Sequence, residues 1–550
     1  MAVSGSLAPG QAETPSRRSG RLRAVLGCLA VVAVLVALRL PGFFEPAWSE
    51  DAGAYANIGR ALDLGGRLYG EVWDNKPPGM YWLSAADMAG GASALRAQIA
   101  LSVIVALATL LVFLVGRRLA TPAVGLSAAP LFAVVASVPN FTGNQLNAEI
   151  AGVLPVLAAM LLLLRRTPIP RGHAVGAGVM LGFGLLFKAT FAADLLAGLA
   201  VPSLLAVARG RRPGRPELVT TLLVAAGTLA LCAAAAVGVQ LHGSVRALAD
   251  VVLHQDPRYA AWGQLTGPLG TPPPSFDVSP SALLRAIAYS RLLVFVGGGA
   301  ALAVVLARRG HRAGAVVAFW LACDLAATMV DNRALTHYVQ QMTGSLALAA
   351  ALLAAHLWRQ RVPVVRLLAF AALPAMWLAM LGALFLPRAE AAVATLHHVP
   401  QLILENASGR QLPGYYRRAF DLVTGRITLQ QYQAAFPSPV HPAAEQLAQL
   451  LDAHSAPGQR VFIWGDISGW AYAYADRLPA SRFIWMDTAY RLYPDGDATL
   501  VADLRRSPPA VLIAEHPPSA RLLAFLQGAG YTLADRTGVG DVWVAGTASG

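Results

Sequence analysis

Residues 50–83 read EDAGAYANIGRALDLGGRLYGEVWDNKPPGMYWL, from Glu50 to Leu83. The stretch lies between an apolar run at 24–40 and another at 97–116, each long enough to enter a bilayer. It gathers acids, amides, tyrosines and the tripeptide Lys76-Pro77-Pro78 in one place. The chain has 43 basic residues, of which only Lys76 and Lys188 are lysines; the rest are arginines. A polar, structured segment at a membrane face that carries one of these lysines is where chemistry is expected, because ionisable groups are expensive there.

Working outward, 56% of the 550 residues are hydrophobic and 13% are charged, with a mean hydropathy of +0.52. That excludes an ordinary soluble protein. Apolar runs fall near 24–40, 97–116, 122–138, 149–164, 174–188, 190–208, 218–241, 288–307, 313–330, 338–357 and 367–387, about 11 spans. The expected fold class is an α-helical polytopic membrane protein with a small C-terminal α/β domain outside the membrane. Preference for Ala, Gly, Val and Arg over Lys fits a GC-rich bacterial genome. The net charge of +13 does not point to nucleic acid, because the arginines sit in short clusters between apolar runs. Cys28, Cys232 and Cys323 all lie within apolar runs, so no disulfide framework or metal spacing exists.

The arginine clusters orient the chain. Arg17, Arg18, Arg21 and Arg23 in the tail share a side with Arg117-Arg118, Arg165-Arg166-Arg171, Arg209-Arg211-Arg212-Arg215, Arg308-Arg309-Arg312 and Arg359-Arg361-Arg366. That side is read as cytoplasmic, at the inner membrane of a bacterium. Residues 1–23 read as a disordered cytoplasmic tail, and the run after it, which lacks a cleavage motif, as a retained helix. The other face receives 41–96, 139–148, 242–287, 331–337 and everything after 388. Residues 24–390 form the membrane domain, 391–440 an interfacial connector with an amphipathic piece at 396–404, and 441–550 a compact α/β domain. In the last, helices are expected at 443–453, 499–506 and 520–528 and strands at 461–464, 483–486, 511–514 and 542–545.

The polar residues of the outer face form clusters. Glu50 and Asp51 open a helix to Leu64 closed by Gly65-Gly66; a helix start favours acids, but does not explain the density of polar groups that follows. Asp74, Asn75 and Lys76 precede two prolines that hold the chain stiff, so Lys76 is a positioned cation suited to a phosphate, or an interfacial lysine beside Tyr81-Trp82. Asn144, Gln145, Asn147 and Glu149 gather at the start of the fourth span. Lys188 ends the fifth, where a cation also suits a helix C-terminus. Asp331, Asn332, Arg333, His337 and Tyr338 border the tenth. Asp194 and Asp324 lie inside spans within about two turns of the outer face, where Arg285 or Arg291 are available partners.

These residues resemble the GT-C glycosyltransferases, and within them the branch of protein O-mannosyltransferases and lipid A aminoarabinose and galacturonic acid transferases. The resemblance rests on Asp51, Tyr55, Ala56 and Ile58 after the first span and on Lys76 to Leu83 before the second. Arg96, Asn147 with Glu149, Gly178 and Gly182 with Phe187-Lys188, and His337-Tyr338 support it over residues 24–390. The resemblance implies an enzyme that takes a sugar from a polyprenyl-phosphate donor and passes it, with inversion, to an acceptor hydroxyl of an envelope glycan, lipid or protein. It makes Asp51 the general base, assigns Lys76 and Tyr338 to the donor phosphate, and leaves Glu149 for the acceptor or a second hydroxyl. Such chemistry needs a base near the acceptor oxygen and cations at the leaving group.

The chain departs from the aminoarabinose branch at two positions. Asn75 stands where that branch has an acid used for metal, and Ala54 where it has an arginine. These changes weaken the reading of a divalent metal cofactor without removing it, and Arg60, Arg333 or another cation is then needed at the phosphate. The alternatives weighed are a transporter or lipid flippase, for which internal repeats would be expected and none is evident, and an envelope-assembly scaffold.

Overall fold

The computed structural model describes residues 17–47, 50–164, 168–258, 303–304, 312–328, 330, 336–358, 412–436, 443–465, 470–484 and 495–546. Helix α1 runs from Arg17 to Arg39, so the helix begins within the segment expected to be a tail; the arginines extend it ahead of the apolar run. Its last residue, Arg39, is buried and turns its guanidinium onto Ser102 (3.2 Å), Gln98 (2.9 Å) and the Gly143 carbonyl (2.5 Å), which ties the end of α1 to the start of the 97–116 span and to the loop 139–148.

The loop 41–96 is a helical hairpin of α2 (Glu50–Asp63) and α3 (Gly79–Met88). A Cβ at Gly59 would meet the Ser84 backbone at 2.5 Å, so only glycine lets the two helices cross this closely. Six longer helices follow: α4 (Ala94–Leu119), α5 (Pro122–Val135), α6 (Ala148–Leu163), α7 (Arg171–Phe187), α8 (Ala192–Val207) and α9 (Arg215–His242). Ser93 and Thr121 cap α4 and α5 through their side-chain oxygens. The Gly178-x-x-x-Gly182 pair seats α7 on α9, where Thr228 Oγ1 donates to the Gly178 carbonyl at 2.9 Å. After α10 (Val245–Asp250) and a π-helical turn (Val251–Gln255), the described chain resumes with α11 (Arg312–Thr328) and α12 (Val339–Trp358).

Among the described residues three helices are long and apolar enough to cross a membrane: Ala94–Leu119, Ala189–Val207 and Arg215–His242. Shorter apolar helices cover Leu29–Phe44, Pro122–Val135, Ala148–Leu163, Arg171–Phe187 and Gly314–Thr328. The outside of α9 bears exposed Leu218, Leu222, Leu229 and Leu241, as a lipid-facing surface requires. The apolar runs at 288–307 (save 303–304) and 367–387 and the piece at 396–404 lie outside the described residues.

Two connector helices, α13 (Leu412–Val423) and α14 (Leu429–Gln433), fold back on the end of α1: Tyr432 Oη donates to the Pro41 carbonyl at 3.1 Å and Gln433 to the Phe44 carbonyl at 3.3 Å. The C-terminal unit places α15 (Ala443–His454), α16 (Ala471–Tyr474), α17 (Gly496–Arg506) and α18 (Ala520–Gly528) around a four-stranded sheet. The strands are β1 (Phe462–Trp464), β2 (Val511–Ala514), β3 (Tyr531–Thr537) and β4 (Gly540–Ala545), in the order β1-β2-β4-β3. Strand β3 escapes a reading by hydrophobic pattern, because this edge strand buries only Tyr531. Of the strand expected at 483–486, Phe483 forms one isolated bridge, with Trp73; 485–486 lie outside the described residues.

The sheet domain sits on the loop that carries α2 and α3. Trp73 donates its backbone N–H to the Arg482 carbonyl (2.8 Å) and packs edge-on against Phe483 (5.6 Å between centroids). Asn57 accepts from the Ala473 N–H (2.9 Å), Arg60 pairs with Asp476 (2.6 Å), and Arg460 with Glu71 (3.3 Å).

Candidate active site

Lys76 lies in a cradle built by its own loop. Pro77 and Pro78 fix the backbone and start α3, while the buried Tyr69, Tyr81 and Tyr55 close round it. Tyr69 Oη donates to the Lys76 carbonyl (2.7 Å), and the Lys76 N–H donates to Tyr81 Oη (3.2 Å). The ammonium lies 3.3 Å from Asp74 Oδ2, 3.5 Å from Asn75 Oδ1 and 5.3 Å from the centre of the Tyr55 ring. Tyr81 also donates to Asp74 Oδ2 (2.8 Å). Tyr69 has φ +60°, the left-handed region that costs a bulky residue about 1–3 kcal/mol. The hydrogen bond to Lys76 and burial in the tyrosine cluster hold it there. Burial pushes the Tyr55, Tyr69 and Tyr81 phenols well above the ordinary range, so all three stay neutral donors.

Lys188 ends α7 in an extended conformation. Its Nζ lies 2.5 Å from Glu149 Oε1, on the first turn of α6, and 3.9 Å above the Tyr338 ring. His337 Nε2 reaches the same Glu149 oxygen at 3.6 Å, and its ring meets Tyr338 edge-on at 4.7 Å. Gly79 brings the two lysine-bearing segments together: a Cβ there would lie 2.6 Å from the carbonyl of Leu186.

Charges from both clusters act on Tyr55, which feels Lys76, Asp51, Glu149 and Asp74. Asp51 lies one turn before Tyr55 on α2, so the two share a face. It is half-buried, and no hydrogen bond or ion pair engages it among the described residues. Asp256, which follows the π-helical turn, is close enough to Lys76 and Lys188 to feel their charges. Burial pushes its carboxyl up to about 7; Lys76 and Lys188 oppose that shift and Asp74 adds to it. Its Oδ2 is shut off from solvent and has no hydrogen-bond partner among the described residues.

A buried polar network lies behind Lys188. Asp194 accepts from Trp320 Nε1 (2.8 Å) and Gln341 Nε2 (2.9 Å), and Thr190 donates to Gln341 Oε1 (2.7 Å). Asp324 lies against Asp194 and accepts from Ser345 (2.5 Å). The acids are thus engaged by neutral donors and by each other; Arg285 and Arg291 lie outside the described residues.

Residues 75–238 match the family model described as dolichyl-phosphate-mannose-protein mannosyltransferase. ArnT from Cupriavidus metallidurans bound to undecaprenyl phosphate superposes with TM-score 0.52 at 17% identity, over 96% of this chain and 99% of that one. The chain has the GT-C fold. The same ArnT in its apo state gives TM-score 0.51 at 15% identity, over 97% of this chain and 99% of that one. The oligosaccharyltransferase of Archaeoglobus fulgidus gives TM-score 0.46 at 14% identity, over 94% of this chain and 74% of that one. No curated protein matches the sequence.

On this GT-C scaffold, Asp51, Tyr55, Asp74, Asn75, Lys76, Glu149, Lys188, His337 and Tyr338 gather about one region. Glu149 is 3% exposed and committed to Lys188 and His337, which favours a counter-ion over an acceptor contact. Asn147 is buried and donates to Thr142 Oγ1 (3.1 Å), so it braces the loop 139–148. Arg60 turns away to Asp63 and Asp476. The Glu50 side chain and Arg333 lie outside the described residues. The amide of Asn75 beside an ammonium does not fit a divalent cation, and no step here is derived through one. Sequence reasoning missed Tyr69 and Asp256; the only local signal for Asp256 is an acid in an otherwise unpatterned loop.

Proposed function

We propose that this membrane protein is a glycosyltransferase that moves a sugar from a polyprenyl-phosphate donor to an acceptor hydroxyl at the outer face of the membrane, with inversion. The observation that carries this reading is the placing of the chain's two lysines, Lys76 beside a cluster of neutral tyrosines and Lys188 above the Tyr338 ring, on segments packed together where Gly79 meets Leu186. The two ammoniums supply the positive charge that a phosphate needs, and the Asp256 carboxyl in its neutral form leaves that charge uncancelled.

In this reading Lys76 and Lys188 hold the phosphate, with Tyr338 beneath Lys188 and Tyr55 beside Lys76. Asp51 takes the proton from the acceptor hydroxyl as its oxygen bonds to C1 of the sugar. The bond from C1 to the phosphate oxygen breaks, and its electron pair leaves on the polyprenyl phosphate, where the ammoniums stabilise it. Glu149 and His337 orient Lys188. The finer features of this reading are about 11 spans, a cytoplasmic N-terminus, domain limits at 24–390, 391–440 and 441–550, an outer C-terminal domain, and a bacterial inner membrane. The positive-inside distribution of arginines supports this orientation. The ArnT structure with undecaprenyl phosphate, on the same fold, supports a lipid-linked donor.

The test is to incubate the purified protein with radiolabelled polyprenyl-phosphate sugars and envelope extract. Transfer of label to an extract component supports the reading. Movement of intact lipid-linked sugar across a vesicle without transfer would replace it with a flippase.

A further inference from the structure

A second recess adjoins the site on the far wall of Tyr55. Counting the open solvent at its mouth, it spans about 480 Å³ of atom-free space between α2, α3, the start of α4, the loop 139–148 and Trp470 of the C-terminal unit. Three side chains that line it carry polar atoms shut off from solvent with no hydrogen-bond partner among the described residues: Trp470 Nε1, Asn144 Oδ1 and Asp87 Oδ2. Trp470 is 3% exposed and Asn144 1%. Buried polar atoms are ordinarily paired, so one donor and two acceptors left unmet round one recess mark a place where a ligand completes them.

The chemistry of the walls selects the ligand. No Lys or Arg lines the recess and Asp87 does, so an anion is disfavoured. The remaining walls are largely Ala, Met and Leu side chains on helices whose backbone groups are satisfied internally, so a peptide finds no strand edge to pair with. A hydroxyl both donates and accepts, which matches an indole N–H set among carboxylate and amide oxygens. The indole stacks on Tyr474 (5.8 Å, 28°), which fixes the ring. Ala52, Tyr55 and Ala56 form the inner wall, and Asp51 is one helical turn from Tyr55.

We propose that this recess is the acceptor subsite and takes a neutral sugar ring, whose hydroxyls bond to Trp470, Asn144 and Asp87. The assignment rests on the transferase reading above and narrows the acceptor to a glycan or glycolipid. It also gives the C-terminal unit a task, because Trp470 comes from that unit.

Saturation-transfer NMR on the full chain in lipid nanodiscs tests it, with methyl α-D-mannopyranoside, methyl β-D-glucopyranoside and a Ser/Thr hexapeptide as probes. Undecaprenyl phosphate binding is measured on the same samples. At least one glycoside is expected to bind, at least fivefold more weakly to Trp470→Ala and Asp87→Ala, and to remain bound when undecaprenyl phosphate is added. Glycoside signal that is absent, unchanged in both variants or displaced by undecaprenyl phosphate overturns the proposal. So does peptide binding that depends on Trp470 in place of glycoside binding. If Trp470→Ala fails to fold, Trp470→Phe and Asp87→Ala decide. Loss of undecaprenyl phosphate binding from the wild type would count against the donor reading, separately from the acceptor subsite.

Discussion

Lys188 Nζ lies 2.5 Å from Glu149 Oε1, and this pair joins the end of α7 to the start of α6. The Glu149 side chain is 4% exposed and that of Lys188 16%, so neither is well hydrated. Breaking a buried pair from one side leaves an uncompensated charge, at about 3–5 kcal/mol. Lys188→Ala is therefore expected to unfold at markedly lower temperature in detergent. The double variant Glu149→Gln with Lys188→Met should recover most of that loss while remaining inactive. A double variant no more stable than Lys188→Ala would contradict the pairing.

Lys76 is held differently, by its own loop and three tyrosines, with Asp74 at 3.3 Å and Asn75 at 3.5 Å from its ammonium. Truncation removes a charge-assisted contact to the donor, about 1.5–3 kcal/mol or roughly ten- to a hundredfold in affinity. Lys76→Ala should weaken undecaprenyl phosphate binding by that factor and leave the fold intact. Unchanged affinity would make Lys76 an interfacial lysine only.

Asp256 supplies a pH dependence. Burial raises its carboxyl from 3.8 to about 7, so it is neutral below that pH and anionic above it. A raised acid pKa adds stability at low pH that is lost as pH rises from about 4 through about 7. The same charge would oppose a bound phosphate, and a repulsion of about 1.4 kcal/mol corresponds to tenfold in affinity. The ratio of donor affinities of wild type and Asp256→Asn should fall by about that factor between pH 6 and 9. Ionisation of the phosphate is common to both proteins and cancels. A flat ratio would contradict the placement of Asp256.

Docking of the C-terminal unit separates into strong and weak contacts. Asp476 has half its side chain exposed, so Asp476→Ala should cost no more than about 1 kcal/mol. Trp73 is 3% exposed against Phe483, and Trp73→Ala should cost about 3–5 kcal/mol. Limited proteolysis should release the C-terminal unit from Trp73→Ala alone; equal release from both variants would contradict this ranking.

Much of this arrangement was legible before the structure. Two lysines among many arginines stood out by rarity, and apolar runs with arginine clusters placed most described helices to within a few residues. The Glu50–Asp63 helix followed from its acids and closing glycines. What was not legible depends on contacts between distant segments. Asp256 becomes a site residue only because its segment returns to the first loop, where Gly243 bridges Leu68 and the lysine charges act on the acid. Trp470 reaches the first loop only because the C-terminal sheet docks there. Tyr69 takes a left-handed backbone that no local pattern announces. Glu149 looks like an exposed helix-start acid until α7 brings Lys188 to it.

The central claim is that Asp51 removes the acceptor proton while Lys76 and Lys188 hold the donor. The most direct test compares wild type and Asp51→Asn in the radiolabelled transfer assay, with undecaprenyl phosphate affinity measured on the same preparations. The account expects Asp51→Asn to bind undecaprenyl phosphate as wild type does and to lose transfer by a factor of about 100 or more. Transfer at the wild-type rate by a folded Asp51→Asn protein would contradict it.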